Sequence, residues 1–285
     1  LLFGDTLLGY VLITSFIPFI IYMILRKLIN KNWSIIILWC FIIFPIFESY
    51  GFFQFYYSKL TILGFGESLS YFCLYMGILL LIPDKNENLY SNATINYFLM
   101  GILFFLVVLL RPNYIMQFVT FFSILGFHII YLIIYCAQKP SELKYSNYIR
   151  KYILLIVGFS PILLVALHNL YFGNQLVLLT SASTIVENLR VPPSVWIDAI
   201  FSLANFEINK ENWSIIIYNL KTWINYYEFW LIIVYINLWI GIFRKNNDIL
   251  FKIISASLIA SHITYLFYAG DHRYTYGLWT ICLII

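Results

Sequence analysis

The chain has 285 residues, of which 62% are hydrophobic and only 11% charged, with a mean hydropathy of +0.86. So few charges cannot clothe the surface of a soluble globule of this length. A formal net charge of +4, scattered along the sequence, is also too small to mark a nucleic-acid partner.

In chain order, the apolar residues fall into nine runs, at 7–25, 33–47, 60–82, 93–110, 114–136, 152–172, 226–243, 249–268 and 274–285. A helix needs about 20 mostly apolar residues to cross a hydrocarbon core of about 30 Å. The expected fold is therefore all-α: a polytopic integral membrane protein with about nine transmembrane helices, forming one transmembrane domain over 1–285. Leu1 in place of Met, and a last run of reduced length, are what a piece of a longer protein would show. No basic region precedes run 7–25, so it reads as a span and not as a signal peptide. Cys40, Cys73, Cys136 and Cys282 all lie inside apolar runs, without disulfide or metal spacing.

If every run spans, the gaps alternate between two faces. One face holds 11 basic and 4 acidic residues, with Arg26, Lys27 and Lys31, then Lys139, Lys144, Arg150 and Lys151, then Arg244, Lys245 and Lys252. The other holds 6 basic and 9 acidic residues. Basic residues flank spans on the cytoplasmic side, so the first face is expected inside. That puts the turn Arg111-Pro112-Asn113 and the stretch 173–225 outside. In the long stretch, Ser194 after Pro192-Pro193 caps a short amphipathic helix from Val195 to about Phe206, and 213–224 forms a second amphipathic piece. Both suit helices lying in the outer interface. Asn32-Trp33-Ser34 and its echo Asn212-Trp213-Ser214 read as two helix starts anchored by interfacial Trp.

Polar residues at membrane depth are costly and call for a reason. Here they gather at the outer ends of spans: Asp5, Glu48, Glu67, Arg111, His168, Asn169, Glu228, and the group Asp271, His272, Arg273, Tyr274, with Glu187 and Arg190 in the long loop. Arg111, in a three-residue turn, reads either as a snorkelling cation or as a fork for a phosphate. Arg273 at a helix start opposes the local dipole and so does not serve helix stability; it reads equally as a surface cation and as a phosphate ligand. His128, His262 and Asn237 lie deeper and suit helix–helix hydrogen bonding. No phosphate-binding glycine loop, zinc-peptidase motif, nucleophile elbow or Cys/His cluster is present in the sequence.

Four fragments occur in order: Gly66-Glu67-Ser68-Leu69 opening a span, Leu110-Arg111-Pro112-Asn113 joining two, His168-Asn169-Leu170-Tyr171-Phe172-Gly173 leading into Leu178-Leu179-Thr180-Ser181, and Arg273-Tyr274 before a late span. Their order resembles the GT-C superfamily of polytopic glycosyltransferases, which includes protein O-mannosyltransferases and the bacterial aminoarabinose transferase. The resemblance covers most of the chain in layout, on short motifs. It implies transfer of a sugar from a polyprenyl-phosphate donor to a glycan, lipid or protein acceptor. The active face would be the outer, periplasmic side of a bacterial inner membrane. In that family an acid of the first outer loop serves as general base or orients the acceptor. That loop would precede Leu1, leaving Asp5 as its remnant. By the same resemblance Arg111, His168, Asn169, Arg190, Asp271, His272, Arg273 and Tyr274 would hold substrate and lipid phosphate. A divalent ion is compatible with the family, but no ligand cluster is visible. The competing expectations are an O-antigen polymerase or ligase dependent on loop arginines such as Arg190, a transporter or flippase, and a structural subunit.

Overall fold

The computed structural model describes residues 15–43, 45–47, 51–52, 67–82, 94–111, 114–138, 144–174 and 252–259, with isolated helical positions at 9, 12, 214, 217, 218, 221, 236, 239, 240, 242 and 243. The chain forms two compact units, one of residues 1–118 and 122–180, the other of 119–121 and 181–285.

Helix α1 is Ile17–Leu28 and α2 is Lys31–Ile43. Pro18 sits in the first turn of α1, where its missing N–H removes no helical bond. Ile17, Ile20, Ile21, Ile24 and Leu25 recur at helical spacing and form the buried face. Asn30 caps α2: its Oδ1 accepts the Trp33 backbone N–H at 3.0 Å, while the Ser34 hydroxyl donates to the Asn30 carbonyl at 2.7 Å. Trp33 is 58% exposed in that first turn, as expected of an anchored helix start.

The run 33–47 is not one helix. It stops at Ile43, and β1 (Pro45–Phe47) pairs antiparallel with β2 (Gly51–Phe52), setting Pro45 opposite Phe52 and Phe47 opposite Gly51. Pro45 cannot donate to a helical carbonyl, and its ring disfavours helical geometry in the residue before it. The 13 residues of α2 reach about 20 Å at 1.5 Å each, short of a hydrocarbon core.

Five further helices follow: α3 Glu67–Leu81, α4 Thr94–Leu110, α5 Ile115–Gln138, α6 Lys144–Phe159 and α7 Ile162–Gly173. Side-chain contacts fix their directions. Ser70 near the start of α3 donates to the Val107 carbonyl near the end of α4, so these helices are antiparallel. Gly101 of α4 meets Gly158 of α6, and Tyr97 meets Lys151, so α4 and α6 run parallel. Phe122 packs on Phe159 at 4.5 Å and His128 on Tyr152 at 6.0 Å, so α5 opposes α6.

The α4–α6 contact is backbone on backbone. A methyl group on Gly101 would collide with the Leu155 carbonyl oxygen and lie 2.8 Å from Gly158 Cα, and one on Gly158 would collide with the Phe98 carbonyl oxygen. Small residues that let helices approach this closely are the usual seam between helices in a membrane. Phe104, Phe118 and Phe159 fill the adjoining space, with ring centroids 4.9 and 5.7 Å apart in turn.

Helix α6 begins eight residues before the expected run 152–172, and that run breaks at Ser160-Pro161. Pro161 lacks an N–H, which takes a donor away from the Val157 carbonyl. The Ser160 hydroxyl restores it at 2.7 Å. α7 closes on Asn174 in the left-handed conformation, φ 51°, with its N–H on the Leu170 carbonyl at 3.0 Å.

Two helical stretches, Gln117–Tyr135 and Tyr148–Gly173, are long and apolar enough to cross a bilayer. The core helix of a soluble protein would be mostly buried. Here only 22% of each is, and Phe127, Ile130, Ile134, Leu164, Tyr171 and Phe172 stand exposed. Apolar side chains exposed along both stretches fit membrane association. α3 and α4 are apolar but shorter.

In the second unit, 252–259 is helical with Ile253, Ile254, Ser255, Ser257 and Leu258 buried. Positions 214, 217, 218 and 221 of the amphipathic piece 213–224 are helical and exposed. The helix expected from Val195, and the last run 274–285, lie outside the described residues.

Candidate functional site

Of the residues expected to act on or hold substrate, Arg111, His168 and Asn169 fall among those described. Asp5, Arg190, Asp271, His272, Arg273 and Tyr274 lie outside them. Glu67 opens α3.

Arg111 terminates α4. Its N–H donates to the Val107 carbonyl at 2.9 Å, and its own carbonyl accepts the Tyr114 N–H at 3.1 Å, which turns the chain into α5. The side chain is half-buried, with Nε out of solvent contact. Antiparallel packing brings the start of α3 to the same end. Ser68, Ser70 and Tyr71 are buried there, and the Tyr71 ring meets Tyr114 edge-on at 6.4 Å between centroids. Gln117, one turn into α5, is 5% exposed, and its Oε1 is buried without a hydrogen-bond partner. The ends of α3, α4 and α5 thus form a patch of two serines, two tyrosines, a glutamine and a guanidinium at the edge of an otherwise apolar bundle.

Such a patch suits a ligand with both charge and hydroxyls. Arg offers a planar fork matched to phosphate oxygens, and a buried polar group keeps its desolvation penalty until something meets it. The sequence exposed Arg111 as a charge between two apolar runs. Tyr71, Tyr114 and Gln117 carried no comparable signal, although Gln117 interrupts an apolar run three residues after Tyr114, on the same helix face.

His168 and Asn169 sit on α7, beyond the Ser160-Pro161 break. His168 is exposed, and its ring packs on Phe172 of its own helix at 4.6 Å. Asn169 is half-buried.

A second polar group lies at the opposite end of these helices. Lys151, expected in the basic gap before a span, is inside α6 and only 2% exposed, with Nζ 5.3 Å from the centre of the Tyr97 ring on α4. The neighbouring Arg150 is exposed. His128 of α5 lies between Tyr131 and Tyr152, its ring centroid about 6 Å from each. Among the described residues no group of three His, Cys, Asp or Glu is placed to hold a metal ion. No family profile, curated protein or solved structure matches this chain.

Proposed function

We propose that this chain is a polytopic membrane transferase that moves a sugar from a polyprenyl-phosphate-type carrier to an acceptor on the outer face of a bacterial inner membrane. The observation that carries the reading is the half-buried Arg111 at the common end of α3, α4 and α5, beside buried Ser70, Tyr71, Tyr114 and Gln117. The alternating directions of α3 to α6 support reading the runs 60–82, 93–110, 114–136 and 152–172 as successive spans, with the basic gap 137–151 inside. The Arg111 end is then the outer one.

In this reaction an acceptor hydroxyl oxygen attacks the anomeric carbon, and the bond from that carbon to the phosphate oxygen breaks. The carrier phosphate leaves with the bonding pair, while the hydroxyl proton passes to a carboxylate. Arg111 stabilises the charge that grows on the phosphate, an interaction worth most in a water-poor site. Asp5 is the carboxylate candidate for the proton.

The test is transfer from a radiolabelled polyprenyl-phosphate sugar in membranes carrying the chain, compared with the Arg111→Ala and Arg111→Lys variants. Loss of a transition-state hydrogen-bond donor costs about 100- to 1000-fold in rate. Arg111→Ala should show a drop of that order, with Arg111→Lys between it and the parent. Unchanged transfer in Arg111→Ala would remove the proposed site.

One observation favours a second reading, transport without bond chemistry. A lysine enclosed between two apolar helices is a common mark of an ion or substrate path, and Lys151 is so placed. Solute uptake into proteoliposomes that Lys151→Met abolishes, with sugar transfer absent, would select that reading.

A further inference from the structure

The turn between α1 and α2 is cationic and exposed. No acidic residue occurs between Asp5 and Glu48, whereas Arg26, Lys27 and Lys31 crowd the turn. Lys27 is committed to the fold, since its Nζ donates to the carbonyls of Ile82 at 2.9 Å and Leu79 at 3.3 Å. It thereby closes the C-terminus of α3 and fixes the turn beside it. Arg26 and Lys31 are exposed, and Trp33 stands exposed one turn further on, at the start of an apolar helix. Two exposed cations and a Trp at the turn between two apolar helices match the headgroup layer of a bilayer, where a Trp ring rests at the boundary and cations meet phosphate.

We infer that the α1–α2 turn is a binding surface for anionic phospholipid, with Arg26 and Lys31 engaging the headgroup phosphodiester and Trp33 seated against its glycerol region. The occupant is a lipid because the hydrophobic flanks of the turn continue directly into the apolar faces of α1 and α2, which a free phosphate would leave uncovered. Asp84, Lys85 and Glu87 follow Ile82 in the sequence and lie outside the described residues. Even with all three counted at the turn, four basic residues stand against two acidic ones. The surface is independent of the transfer reaction and rests only on membrane association.

The experiment is a lipid titration of the full chain in detergent micelles, read by native mass spectrometry, comparing phosphatidylglycerol with phosphatidylcholine. Each basic side chain near an anionic surface confers about a fivefold preference. The parent chain should therefore favour phosphatidylglycerol by at least about tenfold. The Arg26→Gln/Lys31→Gln double variant should bring the two lipids within about twofold. Circular dichroism equal to that of the parent shows that the double variant is folded. Equal binding of both lipids by the parent, or an undiminished preference in the folded double variant, would overturn the assignment.

Discussion

At the scale of single residues, much of this fold rests on groups that satisfy the backbone. Asn30 takes one of the N–H groups left over at the start of α2. Replacing such a cap by Ala costs about 1 kcal/mol. Asn30→Ala should lower stability by that amount in a denaturing-detergent titration, while Asn30→Asp should stay near the parent. Glycines divide by what surrounds them. Gly158 lies against the Phe98 carbonyl, whereas Gly126 has open space where a methyl would go. Gly158→Ala forces α4 and α6 apart and should cost about 1–3 kcal/mol, as overpacking does. Gly126→Ala meets nothing and gains in helix propensity, so it should be neutral or stabilising by up to about 1 kcal/mol. Equal effects of the two substitutions would argue against the close seam between α4 and α6.

At the scale of elements, the break between α6 and α7 is the most local feature to test. The Ser160 hydroxyl holds the Val157 carbonyl that Pro161 deprives of a donor. Pro161→Ala returns an N–H at that position, and the two helices should join into one straight rod. Spin labels at Ile153 and Leu170, both exposed, would report a longer separation in the variant. An unchanged distance would show that packing, and not proline, holds the two helices as they are. Helices such as α4 and α5 were legible as apolar runs, because hydrophobic length is what the sequence displays most directly. Their ends were less so. The run through Pro45 stayed apolar although the proline stops the helix. Lys144, Asn147 and Arg150 masked the start of α6, because polar residues are good enough helix formers to extend it out of an apolar run. Of the candidate site, Arg111 was legible as a lone charge. Tyr71 and Tyr114 were not, since two tyrosines among 24 stand out only once antiparallel packing brings them to one end.

At the scale of the whole molecule, the apolar surface of α5 and α6–α7 distinguishes insertion from packing. Phe127 lies near the middle of Gln117–Tyr135 and is 73% exposed, whereas Leu125, two residues earlier, is fully buried. A lysine at the centre of a transmembrane helix costs about 2.5–3.5 kcal/mol in insertion. Phe127→Lys should therefore reduce the fraction of chain that resists alkaline extraction from membranes. Leu125→Ala leaves the lipid-facing side untouched and opens a cavity against neighbouring side chains. It should keep full insertion and lose about 2–5 kcal/mol in a detergent-unfolding titration. The two substitutions are close in sequence and opposite in what they damage, so a soluble protein would reverse their ranking: the exposed position would tolerate lysine, and only the buried one would matter. Fusing a compartment-sensitive reporter after Gln138 and after Gly173 adds the direction of the two long helices. If both span, the reporters fall on opposite sides, with the one after Gln138 inside by the charge of the adjoining gap. Release of the parent chain by alkaline carbonate would remove the membrane reading, and with it the headgroup surface at the α1–α2 turn.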